Sequence, residues 1–304
     1  MKHLLSIEDL DRGEIEDFLD LAGEFSGVLD REVPKVPALR GKTVALMFYE
    51  DSTRTRLSFD RAAKALSADV MTFTPGGSSV AKGESLKDTT LTIRAMSPSL
   101  FVVRHRSPGA PWRVAEWSGL PVVNGGDGAH QHPTQALLDV LTVRDHFGKV
   151  DGLKVAIVGD IRNSRVARST TQALQKLGAE VTYIGPRTLL PFDMGDWGVE
   201  TSSNLDEVLG EVDIVYMLRI QRERGGGDDF PSVMEYINRF SLTEERAKRL
   251  LPHAMVMHPG PMNRGIEIDA SVADSERSLV TKQVANGIPI RMAVLFRLLT
   301  GETK

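Results

Sequence analysis

The sequence contains no cysteine, which excludes disulfides, thiolate nucleophiles and cysteine-based metal sites. It has no apolar run of membrane-spanning length. The N-terminal stretch MKHLLSIEDLDRGE lacks the apolar core of a signal peptide, so a cytoplasmic protein is expected. A large excess of one charge sign is missing too: 26% of residues are charged, yet the formal net charge is −4. Such a balance argues against a broad nucleic-acid surface and leaves room only for local basic clusters. There is no internal repeat, and low complexity is confined to Gly225-Gly226-Gly227. The stretch VGDIRNSR lacks the second glycine of a G-x-G-x-x-G fingerprint, so a dinucleotide cofactor is disfavoured. Neither His132 nor His258 sits in a metal-ligand spacing.

What is present is an alternation. The 304 residues suggest about two domains. Strand-like runs at Thr43–Phe48, Val70–Phe73, Leu100–Val103 and Val122–Asn124 are separated by helix-like patterns at 11–28, 54–66 and a stretch ending near Thr92. A helix starts near Pro133. Further on come strands at 154–158, 180–184, 213–217 and 255–258, a helix at 166–177 and a final helix-like run, Ile290–Leu299. Short apolar strands alternating with amphipathic helices predict parallel sheets covered on both faces. One sheet would be unusually wide, so two are expected. The fold class is therefore α/β, with two domains that are each a parallel sheet flanked by helices.

In open α/β sheets ligands sit at the carboxyl ends of strands, beside helix N-termini. The residues predicted there are Ser52-Thr53-Arg54-Thr55, Arg104-His105, His132-Pro133-Thr134-Gln135, Arg165, Arg219 with Gln221, and His258-Pro259-Gly260-Pro261. All six of these groups bring Arg or His to a strand end. Hydroxyls, free N–H groups and guanidiniums at a helix start make a phosphate cradle. Each group also has an ordinary structural explanation. Ser52 and Thr53 serve as a simple helix cap, His132 as a buried structural histidine, and Arg219 with QRERGGG as a solvated basic loop. Arg54 and Arg56, however, oppose the helix dipole, a local conflict that a bound anion resolves. The joint placement favours an anion site.

Taken in order, STRTR, SSVAKGESLKDT, VRH, HPTQALLD, GDIRNSRVARS, YMLRIQRER and MHPGP resemble the carbamoyltransferases, and most closely the aspartate-specific catalytic chains. The resemblance runs from about Leu4 to the last helix. It implies transfer of a carbamoyl group from carbamoyl phosphate to L-aspartate, a step of pyrimidine biosynthesis, with no metal and no organic cofactor. By the same resemblance Ser52, Thr53, Arg54 and Thr55 hold the phosphate, joined by Arg104. Thr55, Arg104 and His132 polarise the carbonyl oxygen, and Gln135 orients the carbamoyl NH2 together with backbone carbonyls at Gly260 and Pro261. Arg165 grips the α-carboxylate of aspartate, and Arg219 with Gln221 the β-carboxylate. Lys82 assists, and Ser78 and Lys82 are expected to reach in from a neighbouring subunit of a homotrimer. A larger assembly with a regulatory chain or a dihydroorotase is compatible with this.

Two carboxylates call for two cationic sites, which suits aspartate. The ornithine-specific relatives carry His-Cys-Leu-Pro and an Asp-x-x-x-Ser-Met-Gly stretch. This chain has no cysteine and reads His258-Pro259-Gly260-Pro261 at that place, and Arg219 would repel a cationic side chain. Gly260 departs from the commoner leucine, keeping the backbone acceptor while loosening its conformation. The implied carbamoyl-phosphate domain spans 1–132 plus 282–304. The aspartate domain spans 150–281, residues 133–149 form a linking helix, and the active site lies in the cleft between domains. Two alternatives remain: a carbamoyltransferase with another amine acceptor, and a non-catalytic chain that binds a partner enzyme or an anion.

Overall fold

A computed structural model describes residues 1–75, 83–192, 197–220 and 232–301. The chain forms two compact units, Met1–Leu141 with Val284–Lys304, and Thr142–Gln283. No helix among the described residues is long and apolar enough to cross a membrane.

The first unit contains α1 (Arg12–Leu29), β1 (Thr43–Phe48), α2 (Thr53–Ala65), β2 (Asp69–Phe73), α3 (Leu86–Ala95), β3 (Leu100–His105), α4 (Ala110–Ser118) and β4 (Val122–Asp127). The long helix α5 (Pro133–Phe147) begins in this unit and passes into the second after Leu141. The four strands are parallel, in the order β2-β1-β3-β4. β1 and β3 are buried along nearly their whole length, because both faces of a parallel sheet are covered. β2, at the edge, is only half-buried. One satellite of the core gathers Ala45, Met47, Phe101, Val103 and Val114. Each fully buried Phe or Val there contributes roughly 1.5–3 kcal/mol over its exposed state.

Local chemistry explains the helix boundaries. Asp11 caps α1 through a reciprocal pair: its carboxylate accepts the Glu14 N–H (2.8 Å), and the Glu14 carboxylate accepts the Asp11 N–H (3.0 Å). α2 stops where Ser67 turns into the left-handed region (φ 66°), and the Ser67 hydroxyl donates to the Val36 carbonyl at 2.9 Å. The helix α4 escaped the sequence pattern because Gly109 starts it, Pro111 lies in its first turn and Gly119 ends it. Those residues look like a loop, yet they are ordinary helix punctuation.

The second unit comprises β5 (Lys154–Val158), α6 (Arg165–Lys176), β6 (Glu180–Ile184), β7 (Glu200–Ser202), β8 (Ile214–Met217), α7 (Val233–Phe240), α8 (Glu244–Ala247), β9 (Met255–Met257) and α9 (Ala270–Ala273). Its five parallel strands run β7-β6-β5-β8-β9. Its core packs Ala156, Val158, Val215, Met217, Tyr236 and Phe240 together. The last helix, α10 (Val280–Thr300), is longer than the expected Ile290–Leu299. Pro289 lies inside it and Gly287 just before, so the sequence shows a break where the chain continues helical. Buried Ile290, Met292, Ala293, Val294 and Leu295 stabilise the segment enough to offset one missing N–H.

Candidate active site

In the first sheet the chain moves from β1 outward to β2, then crosses back to β3 and on to β4. The carboxyl ends of β1 and β3 are therefore a topological switch point, where successive connections leave in opposite directions. Phe48 pairs with Arg104, and the Tyr49 N–H donates to the Arg104 carbonyl at 2.8 Å. The register thus sets Arg104 beside the start of the β1–α2 connection. Ser52 caps α2, its hydroxyl accepting the Thr55 N–H at 3.3 Å. Thr53 and Arg54 are exposed, and Thr55 is buried. No acidic residue occupies the first turn. The helix N-terminus, with Arg54 and Arg56, is consequently a concentration of positive potential. Arg104 is buried; one guanidinium nitrogen donates to the Gly125 carbonyl (3.2 Å) and the other to the Glu50 carboxylate (2.8 Å). Two fixed acceptors hold the fork at the strand end.

The approach to His132 is tied down by a buried carboxylate. Asp127, fully enclosed at the end of β4, accepts the N–H groups of Gly109 (2.7 Å) and Gln131 (3.0 Å) and the Asn124 amide (2.8 Å). It also lies 3.1 Å from His130 Nδ1. This sets the strand-to-helix connection, and His132 follows, buried, immediately before α5. The His132 carbonyl accepts N–H groups from Gln135 (2.9 Å) and Ala136 (3.2 Å), opening the helix. The half-buried Gln135 donates through Nε2 to Asp139 at 3.0 Å. Ser52–Thr55, Arg104 and His132 thus stand at the carboxyl ends of β1, β3 and β4, consecutive in the sheet order.

The second sheet repeats the device. From β5 the chain builds β6 and β7 on one side, then β8 and β9 on the other, so its switch point is β5/β8. After Val158 comes Gly159 at φ +130°, where a Cβ would press on the Tyr236 hydroxyl (3.1 Å) and on Leu218 (3.3 Å). Glycine is required for that close approach. Asp160 then accepts the Asn163 N–H (3.3 Å) and side-chain amide (3.0 Å), and Ser164 caps α6. Arg165 is the first residue of α6 and is buried. The Leu218 N–H donates to the Val158 carbonyl at 2.8 Å, extending the β5–β8 pairing to the residue before the half-buried Arg219. Two guanidiniums therefore mark two adjacent strand ends.

Beyond β9 the backbone of Gly260 is held by a buried pair. The Gly260 N–H donates to His258 Nδ1 at 2.7 Å, so that nitrogen is the acceptor and the ring proton belongs on Nε2. Nε2 lies 3.2 Å from Glu267 Oε1, which also accepts the Asn263 N–H at 2.6 Å. His258 and Glu267 are both fully enclosed. Gly260 has φ 59°, and its bond to Pro261 is cis. Burial, with the carboxylates of Glu267 and Asp160, pushes the Tyr236 hydroxyl well above its ordinary pKa, so it stays protonated.

Ser78, Lys82 and Gln221 lie outside the described residues. No role for Glu50, Asp139 or Glu267 follows from the sequence motifs. Asp139 had a usable signal, its i+4 spacing from Gln135. The other two are recognisable only by their partners in three dimensions.

Hydroxyls and guanidiniums at the first switch point and two arginines at the second suit a two-domain transferase acting on anionic substrates. The comparisons make this specific. Residues 2–145 match the model of the aspartate/ornithine carbamoyltransferase carbamoyl-P binding domain, and residues 151–298 that of the Asp/Orn binding domain. The chain is 57% identical over 301 residues to the aspartate carbamoyltransferase catalytic subunit of Thermobifida fusca, covering 99% of this chain and 96% of the relative. It is 55% identical to that of Salinispora tropica over the full length of both. Among solved structures, Trypanosoma cruzi aspartate transcarbamoylase in complex with carbamoyl phosphate and aspartate superposes with a TM-score of 0.90 at 30% identity, covering 98% of this chain and 97% of that one. The catalytic subunit of M. Jannaschii aspartate transcarbamoylase gives 0.87 at 38% identity, covering 99% of each. The chain belongs to the aspartate/ornithine carbamoyltransferase family.

Proposed function

We infer that the chain works as an aspartate carbamoyltransferase catalytic subunit. It transfers the carbamoyl group of carbamoyl phosphate to the amino group of L-aspartate, giving N-carbamoyl-L-aspartate and phosphate, a step of pyrimidine biosynthesis. The observation that carries the residue roles is the placement of complementary groups at two switch points, hydroxyls and guanidiniums at β1/β3 and two arginines at β5/β8.

The phosphate is held by Ser52, Thr53, Arg54 and Thr55 through hydroxyls, helix N–H groups and charge, with Arg104 as a second fork. The aspartate amine attacks the carbonyl carbon, forming a C–N bond. Negative charge moves onto the carbonyl oxygen, where Thr55, Arg104 and His132 stabilise it. The bond from carbon to the bridging oxygen then breaks, and phosphate leaves with the proton released by the amine. No dedicated enzymic base is needed, and positioning supplies much of the rate. Gln135 and the carbonyls at Gly260 and Pro261 receive the carbamoyl NH2. Arg165 binds the α-carboxylate, and Arg219 with Gln221 the β-carboxylate.

Lys82 and Ser78 complete the site from a neighbouring subunit of a cytoplasmic homotrimer, which leaves room for a regulatory chain or a dihydroorotase in a larger assembly. The test of the reaction is formation of carbamoyl aspartate by the purified chain, with ornithine as the competing acceptor. Turnover with aspartate alone is expected; a preference for ornithine overturns the assignment. Subunit sharing has its own test. Arg54→Ala and Lys82→Ala chains, each nearly inactive, should regain roughly one quarter of native sites when mixed under random exchange into trimers. No recovery despite proven exchange means Lys82 does not act across subunits.

A further inference from the structure

Gln135 has a side chain whose two ends do opposite things. Its oxygen accepts hydrogen bonds and its nitrogen donates them, so the direction the amide faces decides what it can recognise. Here Nε2 donates to Asp139 Oδ1 at 3.0 Å, one helical turn along α5. An ionised carboxylate only accepts, so the pair has a single polarity: nitrogen toward Asp139, oxygen left as the acceptor end. A carbamoyl NH2 is a donor, and an oxygen is the end that matches it.

Asp139 is itself almost completely buried, a costly place for a carboxylate without positive charge nearby. That charge comes from α10. Arg291 is buried, donates to the Gly287 carbonyl at 2.8 Å and lies 5.1 Å over the Phe59 ring. Burial first, and then the Arg54 guanidinium, push its pKa down to about 9, while the Asp139 carboxylate works the other way and favours the charged form. Gly287 is part of the device, because a Cβ there would collide with the Arg291 guanidinium. The glycine that reads as a helix breaker in the sequence makes a notch for a cation within α10.

We propose that Asp139 is a positioning residue: its carboxylate locks the Gln135 amide with the oxygen presented, so that the site selects carbamoyl phosphate over acyl phosphates lacking an NH2. The proposal rests on the assignment of Gln135 to the carbamoyl NH2. Its test compares the affinities of carbamoyl phosphate, acetyl phosphate (a methyl in place of the NH2) and inorganic phosphate. Asp139→Asn is nearly isosteric but can donate, which allows the Gln135 amide to turn round.

We expect D139N to bind carbamoyl phosphate about tenfold more weakly, the scale of one lost hydrogen bond with a donor facing a donor. Acetyl phosphate and phosphate should change less than about twofold, and D139N combined with Gln135→Ala should be no worse than Gln135→Ala alone. Equal weakening of all three ligands would mean only structural damage and overturn the proposal, as would unchanged selectivity. If Gln135→Ala itself leaves the carbamoyl-to-acetyl preference intact, the assignment of Gln135 fails first and the proposal falls with it. Should D139N not fold, the pair Asp139→Glu and Asp139→Ser provides the same contrast. Glutamate, still acceptor-only, should keep the selectivity and serine, able to donate, should lose it; the reverse overturns the proposal.

Discussion

The two units solve related problems with different local means. In the first, the candidate phosphate site is a helix N-terminus with Ser52, Thr53, Arg54 and Thr55 in succession, reinforced by Arg104 from the adjacent strand end. In the second, the candidate carboxylate site is two arginines from separate strand ends, Arg165 opening α6 and Arg219 following β8. A phosphate has several oxygens around one centre, so clustered N–H and hydroxyl donors suit it. Two carboxylates at the ends of a small amino acid instead need two separated forks. One topological rule, connections diverging at a switch point, can thus serve ligands of different shape.

The sharpest way to break the comparison is Arg54→Ala. It should lower kcat at least about a hundredfold, since it removes preorganised charge where phosphate and oxyanion develop. Near-normal steady-state turnover would remove the phosphate cradle from the account. Arg219→Ala is expected to act on the other side, raising the aspartate KM by about tenfold to a hundredfold, the range for a lost charged hydrogen bond. An unchanged aspartate KM would take Arg219 out of the carboxylate site.

The smallest effect should come from Asp206, whose carboxylate accepts Arg246 Nε (3.1 Å) and Nη2 (2.9 Å) and also meets Arg249. Its pKa is lowered below 3.8, first by the Arg246 hydrogen bond. The folded state therefore gains stability above pH 3.8 and loses it as the pH falls through the depressed value. The group is largely solvent-screened, so Asp206→Asn should cost less than about 1 kcal/mol at neutral pH. Urea unfolding across a pH series should show that gap closing in acid, with the aspartate KM unchanged.

Much of this was legible in the sequence because the informative residues are close together. β1, β5 and β6 coincide with their expected limits, since a short apolar strand between polar turns leaves little choice of boundary. The Ser52 cap and the Arg54 conflict with the helix dipole can be read from five consecutive residues. α4 and the first half of α10 were not legible, because glycine and proline have local preferences that tertiary burial overrides. Glu50 on Arg104 and Arg291 near Asp139 are long-range encounters, and Glu267 meets His258 across an irregular nine-residue loop, so only the folded chain makes these pairs visible. The sequence motifs name the groups at the strand ends; the packing identifies what holds them.

The division of ligands between the two units can be read from one calorimetric comparison. Carbamoyl phosphate is titrated, without aspartate, into the native protein, Arg54→Ala and Arg219→Ala. Arg219→Ala should bind it with native affinity while Arg54→Ala loses at least about tenfold. Equal loss in both variants, or loss only in Arg219→Ala, would contradict that division.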